Sequence, residues 1–431
     1  MKQTVMAAWA AWALSTASCH PAAEVGARTT TLSLMLPPSE RPFWEPIARR
    51  FERNHPGVRV DLVEGAQSTD LREDLYTSSL LARDPTFDLV YGDVTWTPKF
   101  AAAGWLLPLD DRLSEQERGQ FLPAALAAGE YEGRLYRVPM RTDVGLLYFR
   151  RDLLQRAGRA PPETFEQLVA TARALQSPPA VWGFVWQGKQ YEGLICNYLE
   201  ILRGHGGFWV DPATREVGLD HAEAVAALEF MVRCVREEPI SPPGVTTYQE
   251  EESRRLFQDG RAVFLRNWPY AWSLAQSADS PIRDRVGVLP MMRIRDARAG
   301  GTLGGWGLGI SAFSRHPDLA MAFIRDATSL EGQRDLCGPT GYAPARRDAY
   351  EDPVLLAANP FLTELERLHE HAVARPAVAR YALASDILQR HLSAALAGSI
   401  DARRALSAAA RETRAMLKGS RGLTRAPGSA R

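Results

Sequence analysis

The chain has no excess of either charge: among 431 residues, 51 Lys and Arg face 51 Asp and Glu, so the formal net charge at pH 7 is zero. Nucleic acids are drawn by a surplus of positive charge, and a balanced chain offers none. Lysine is nearly missing, confined to positions 2, 99, 189 and 418, which reads as coding bias before it reads as function. Cysteine is scarce too. Beyond Cys19, only Cys196, Cys234 and Cys337 remain, widely separated and with no CxxC pair, which argues against a zinc ribbon or a thioredoxin-type site. In an exported chain they allow one disulfide with a free thiol, or three buried unpaired thiols. No apolar run approaches the roughly 20 residues of a spanning helix, so no transmembrane segment is expected in the mature chain.

Reactive signatures are missing as well. There is no HExxH zinc helix, no GxxxxGK[ST] phosphate loop and no GxSxG nucleophile elbow. His369, Glu370 and His371 place two imidazoles at i and i+2, on different sides of a helix, which reads as a solvated face. Gly305–Gly309 (GWGLG) has the wrong glycine spacing for a dinucleotide turn and continues as an apolar strand. Paired carboxylates for glycoside hydrolysis stay open, because 51 acidic residues make candidate pairs plentiful.

What is present begins with an ordinary globular composition, 45% hydrophobic and 24% charged, which argues against disorder and a long coiled coil. The first 19 residues carry one early charge, an apolar run from Val5 to Leu14 and small residues before Cys19. They look like a secretory leader. Small residues followed by Cys resemble a lipoprotein cleavage site with Cys19 acylated, although Thr16 stands where Leu is usual; a freely secreted protein is the alternative. At the other end, residues 419–431 mix Gly, Ser, Pro and Arg without periodicity and are expected to form a disordered tail.

Between these ends, strand and helix patterns alternate. Thr29–Leu36 reads as a strand, Phe43, Ile47 and Phe51 as a helical stripe, Val58–Leu62 as a second strand, Leu71–Leu81 as a helix and residues 87–94 as a third strand. This predicts an α/β fold with a mainly parallel sheet and ligand sites beyond the strands' carboxyl ends, where Asp93 falls. Residues 133–154 read as an extended segment through a turn at Pro139, then a strand and a helix, which suits a crossover between lobes. Helices are expected at Phe165–Leu175, Ala222–Val235 and Leu319–Ala327, with Leu383–Leu417 divided at Gly398.

Aromatics are the surplus. Nine of the 11 Trp lie beyond the leader, and Arg266–Trp272 (RNWPYAW) packs three aromatics into five positions beside a stiffening proline. Glycines surround Trp306 in GGWG and permit close approach. A single Trp is ordinarily core packing, but flat aromatic faces also suit sugar rings, with carboxylates and Arg bonding the hydroxyls.

The ordered segments TTTLSLML, FDLVYGDVTW, GRLYRVPMRTDVGLLYFRRDLL, GFVWQGKQYEGLICNYLE, GRAVFLRNWPYAWSL and GGWGLGISAFSRHPDLAMAFI resemble the extracellular solute-binding proteins of carbohydrate ABC transporters, of the trehalose/maltose-binding type. The resemblance runs from about residue 29 to 418. It implies a two-lobed periplasmic-binding-protein fold of type II, with the ligand in a cleft between lobes joined by hinge crossovers. The N-terminal lobe is expected over 29–142 and 308–341, and the C-terminal lobe over 143–307 and 342–418. Carried over by motif, Asp93 and Asp143 become carboxylates for sugar hydroxyls, Trp268 and Tyr270 an aromatic platform, Trp306 with Gly307 a second wall, and Arg375 and Glu40 further ligand contacts. The plainer alternatives are that Asp93 and Asp143 cap or terminate secondary structure and that Arg375 is a surface residue before Pro376. Trp272 is assigned to the core, and Gln187, Tyr191 and Glu192 mark the motif without an assigned sugar contact. Arg141 stands where close relatives often have an aromatic residue.

The expected function is a monomeric, non-catalytic receptor outside the cytoplasmic membrane. It would bind a small neutral oligosaccharide such as trehalose, maltose or sucrose and hand it to ABC permease subunits, with no cofactor, metal or nucleic acid. The rival is a secreted carbohydrate-active enzyme using two cleft carboxylates. A second rival changes the ligand to a glycerol-phosphate, polyamine or peptide; one placed arginine against two carboxylates disfavours phosphates. Trp306→Ala and Asp143→Ala are expected to weaken binding with the fold intact.

Overall fold

The computed structural model describes residues 29–294, 297, 300–369 and 372–420. The leader, the acylation reading of Cys19, the tail from 421 and the second histidine of the His369–His371 pair lie outside the described residues.

Two sheets organise the chain. The six-stranded sheet runs, edge to edge, through Ala343–Pro344, Val138–Val144, Leu303–Ile310, Leu89–Asp93, Thr30–Leu36 and Val58–Glu64. Only the last three strands pair in parallel with a neighbour; Leu303–Ile310, Val138–Val144 and Ala343–Pro344 each run antiparallel to theirs. The sheet is therefore mixed, where alternating strand and helix patterns predicted a mainly parallel one. Its antiparallel strands arrive from distant parts of the chain, which no local period reveals. The four-stranded sheet orders Val286–Leu289, Leu146–Arg150, Ala262–Asn267 and Trp182–Val185.

Local reading succeeds where one face is buried. In the helix Arg41–Asn54, Trp44, Ile47 and Phe51 face inward at helical spacing, with Phe43 only partly covered. The helices Phe165–Leu175, Ala222–Arg236 and Pro317–Ala327 lie where the periodicity puts them, and Gly398 separates Tyr381–Leu396 from Ala402–Ser420. The last helix continues two residues into the expected tail. Leu146–Arg150 is buried on both faces: Leu146 and Tyr148 join one core cluster, Leu147 and Phe149 the other. That explains its uninterrupted apolar run.

Pro139 makes no turn. It lies within the strand Val138–Val144, where the pairing with Leu303–Ile310 slips between Trp306 and Gly307. Proline cannot donate to the ladder, and an irregularity of this kind accommodates it. The next residues cross at once from the six-stranded sheet to Leu146–Arg150 of the four-stranded one.

The expected lobe limits cut across this sheet. Leu303–Ile310 belongs to it entire, so the chain returns before residue 308. Ala343–Pro344 is its edge strand, and the helix Leu362–His369 packs on Val138–Val144 of the same sheet, although 342 onward was expected in the other lobe. The helices Tyr381–Leu396 and Ala402–Ser420 pack instead with Glu192–Gly204 and Ala222–Arg236.

Cys196, Cys234 and Cys337 are buried and free, which resolves the open choice in favour of three unpaired thiols. Among the described residues no helix is long and apolar enough to cross a membrane, and no group of three or more His, Cys, Asp or Glu could hold a metal ion.

Candidate functional site

A cavity of about 590 Å³ opens beyond the carboxyl ends of the parallel strands, lined by the six-stranded sheet on one side and by helices and a turn beside the four-stranded sheet on the other. Seven of the eight expected ligand residues line it: Glu40, Asp93, Asp143, Trp268, Tyr270, Trp306 and Arg375. Gly307 does not. It pairs with Gly92 and Pro139, and a Cβ there would collide with Arg137 Nη1 and Val138 O, so its bareness serves packing behind the sheet. The glycine wall is made by Gly304 and Gly305. At Gly304 a Cβ would press on Trp268 at 3.1 Å, and Gly305 holds φ at +138°, where side chains rarely go.

Cross-strand register gathers the floor. Trp306 stands between Asp93 on one neighbouring strand and Arg141 on the other. Its indole packs on Tyr91 and Trp96, with centroids 5.1 and 5.4 Å away, and the Arg72 guanidinium lies 4.5 Å from its centre. Only 7% of Trp306 is exposed, so it is at once wall and core. Trp268 is half-buried, with Arg266 stacked 4.1 Å from its ring centre. The Tyr270 hydroxyl donates to Glu251 over 2.8 Å.

Two charge clusters complete the lining. In the first, Arg141 donates Nε to the Tyr91 hydroxyl at 3.3 Å, Nη2 to Glu40 at 3.2 Å and Nη1 to Asp143, while its guanidinium centre lies 4.0 Å from the Tyr342 ring centre. Burial, resisted by Arg141 and reinforced by Glu40 and Asp93, pushes the Asp143 carboxyl up to about 6. Asp143 Oδ1 is buried and makes no hydrogen bond. In the second, Arg375 spans Asp93 at 2.9 Å and Glu192 at 2.8 Å. Glu192 opens the helix Glu192–Gly204 and also accepts from Tyr381 at 2.5 Å and Ser385 at 2.6 Å. Burial raises its carboxyl in spite of Arg375, Ser385 and Tyr381.

Asp93 terminates its strand, as the capping alternative had it: Oδ1 accepts from the Thr95 backbone N–H at 3.0 Å and hydroxyl at 2.8 Å, and it also meets Arg375 in the cavity wall. Arg375 is not a surface residue, with 3% of its side chain exposed. Trp272 packs in the core, its ring stacked on Phe361. Gln187 is fully buried and braces Ser253, Arg266 and Asn197 outside the lining, whereas Tyr191 and Glu192 do line it.

Sequence reasoning missed Arg72, Tyr342, Arg255 and the acids Glu250, Glu251 and Glu252. Arg72 carried a usable signal. It continues the buried stripe of Tyr76 and Leu80 at a spacing of four, and a charge on a core-facing stripe is anomalous. Its guanidinium donates to the Ala66 and Gln67 carbonyls. Tyr342, just past the αL residue Gly341 that ends its helix, carried none. The charge count changes accordingly: four arginines line the cavity, not one, against seven carboxylates.

Residues 37–334 match the sequence profile of the bacterial extracellular solute-binding proteins. A probable ABC transporter-binding protein of Deinococcus radiodurans is 34% identical over 327 residues, which cover 74% of this chain and 77% of the relative. A maltotriose-binding protein of Pyrococcus abyssi is 25% identical over 359 residues, 82% of this chain and 74% of that one. The solved structure of a maltose-bound protein of T. maritima, MalE3, superposes with a TM-score of 0.86 at 38% identity, covering 90% of this chain and 100% of that chain.

Proposed function

The chain belongs to the bacterial extracellular solute-binding protein family, and from that membership we propose that it is a monomeric receptor for a small neutral disaccharide, delivering it to an ABC permease outside the cytoplasmic membrane. The observation that carries the ligand class is the company the aromatic rings keep. Trp268, Tyr270, Trp306 and Tyr342 share one cavity with carboxylates that are bonded to guanidinium groups. Rings bury the C–H faces of a sugar, and oriented carboxylates and arginines match its hydroxyls; a mismatched ligand leaves buried polar groups unpaired.

Phosphate-bearing ligands fit poorly. Although four arginines line the cavity, Arg141 and Arg375 are each committed to two carboxylates and Arg72 to backbone carbonyls. Opposing segments, from the six-stranded sheet and from beside the four-stranded one, meet at the cavity, which suits hinge closure around the ligand, and the permease then reads the closed form. The lobes we propose are the six-stranded sheet with its helices and the four-stranded sheet with its helices, joined where Val144 passes to Leu146, where the chain returns at Leu303 and where it leaves again between Leu368 and Tyr381. The leader and Cys19 support export with an acyl anchor.

Calorimetric titration with trehalose, maltose and sucrose, run beside an assay for released monosaccharide, tests this reading. Stoichiometric binding without turnover is expected. Sustained sugar release would replace the receptor with an enzyme, and absence of heat with every disaccharide would remove the ligand class.

A further inference from the structure

Arg141 has more partners than any other cavity side chain. It donates to Tyr91, Glu40 and Asp143 and lies on Tyr342, so that four groups from separate strands, a helix cap and a turn meet on one guanidinium. Two of them, Glu40 and Tyr342, also bond each other, the hydroxyl donating to Glu40 Oε1 at 3.3 Å. Glu40 Oε2 is within 3.4 Å of Trp44 Nε1. Asp143 differs: Arg141 holds Oδ2, and Oδ1 is left as a buried acceptor without a partner, in a residue that lines the cavity.

We propose that Arg141 is a positioning residue for ligand recognition: by holding one oxygen of Asp143 in a charge-assisted bond, it keeps that carboxylate ionised and aims its other oxygen at a ligand hydroxyl. The proposal rests on the sugar-receptor reading and deepens it, because it says which acceptor reads a hydroxyl and what keeps it an acceptor. A carboxylate accepts two-sidedly only while ionised; protonated, it becomes a donor on one side. A planar guanidinium is suited to this task because its fork can serve Asp143 and Glu40 together while its face rests on an aromatic ring, which a flexible ammonium does less well.

The electrostatics around Asp143 make the dependence readable. Facing it are Arg141 on its own strand, Glu40 at the cap of the first helix, Asp93 at the end of its strand and Arg375 from the late loop. Tyr148, Tyr342, Tyr350 and Cys337 also sense its charge. Burial, Glu40 and Asp93 favour the neutral acid, and Arg141 and Arg375 oppose them, leaving the carboxyl at about 6. Removing Arg141 therefore shifts the balance toward the neutral acid.

The experiment measures disaccharide affinity between about pH 5 and 8 for the wild type, Arg141→Met and Arg141→Lys, and follows the Asp143 carboxyl by carbon NMR in the absence of sugar, assigned with Asp143→Asn. Wild-type affinity is expected to fall as pH drops through about 6. Arg141→Met should bind about tenfold or more weakly near neutrality, with its acid fall beginning at least about one pH unit higher, and Arg141→Lys should restore the pH profile before it restores affinity. The Asp143 carbon signal should titrate higher in Arg141→Met than in the wild type. Wild-type affinity and pH profile in both variants would overturn the proposal, and so would weakened binding with an unshifted profile, which marks a merely structural role. If Arg141→Met does not fold, the neutral Arg141→Gln takes its place in the same comparison, with the same shifted profile expected and the same unshifted profile overturning the proposal. If the wild type binds no disaccharide, the receptor reading fails, and an Asp143 titration that ignores Arg141 would overturn the electrostatic claim separately.

Discussion

Arg375 Nη2 donates to Asp93 Oδ1 over 2.9 Å, joining residues 282 positions apart in the chain. The same guanidinium reaches Glu192 at the start of a helix packed with the four-stranded sheet's core, so one arginine ties the strand end of one sheet to the helix end over the other. Removing one partner of such a buried network leaves the others charged and unsatisfied. Arg375→Met is expected to destabilise the fold by about 3–5 kcal/mol. Urea unfolding checks this; a loss below about 1 kcal/mol would mean that the network is solvated like an exposed pair.

Trp306→Ala is not the fold-neutral probe that the sequence promised. The indole packs on Tyr91 and Trp96 under Arg72, so its removal opens a core cavity as well as the ligand wall. A loss of about 3–5 kcal/mol in stability is expected alongside weaker binding. Trp268→Ala, at a half-buried position, and Asp143→Asn, which keeps the shape, separate the two effects. Calorimetry on both should show binding weakened at least about tenfold while the melting temperature moves only a few degrees.

The helix Thr69–Leu81 carries Glu73, whose carboxylate receives Lys99 Nζ at 2.8 Å. Burial outweighs Lys99 and pushes its carboxyl up to about 7, from an ordinary 4.5. A folded-state pKa above the unfolded one gives stability that is complete below the unfolded value and is lost as pH rises through the folded value. Stability should therefore decline by roughly 1–3 kcal/mol between about pH 4.5 and 7. Carboxylates held low by arginines, such as Asp352 and Glu251, stay ionised in this window and do not mask the trend. Glu73→Gln should make the profile measured by urea unfolding shallower, leaving the part that Asp143, raised to about 6, contributes in the same window; an unchanged slope would show that Glu73 carries none of it.

Burial pushes up the thiols of Cys196, Cys234 and Cys337, that of Cys234 to about 12. Only thiolate reacts readily, so native protein exposed to iodoacetamide at about pH 8 should leave all three unmodified by peptide mapping, whereas denaturing guanidinium should expose all three. A native disulfide or rapid native alkylation would contradict the buried, free assignment.

Helices with one buried face were legible because period and burial coincide, as in Trp44, Ile47 and Phe51 or in the pair of helices parted at Gly398. Asp93, Asp143, Trp268, Tyr270, Trp306, Arg375 and Glu40 were found through motif resemblance, and they converge on one cavity. Gly307 was misplaced because a motif names a segment, and within a strand adjacent residues point to opposite faces. The thiols were left open because spacing alone does not show which cysteines meet.

By itself the sequence determined the α/β alternation, the balanced charge and the aromatic segments that carry the family likeness, all of them properties of neighbours along the chain. Only the tertiary structure decided the mixed order of the large sheet, the placing of residues 343–368 beside it, and the pairing of Glu40 and Asp143 with Arg141 and of Asp93 and Glu192 with Arg375. The reason is distance along the chain: Arg375 with Asp93, or Tyr342 with Glu40, meet through strand register and long-range packing, and no local period carries that information.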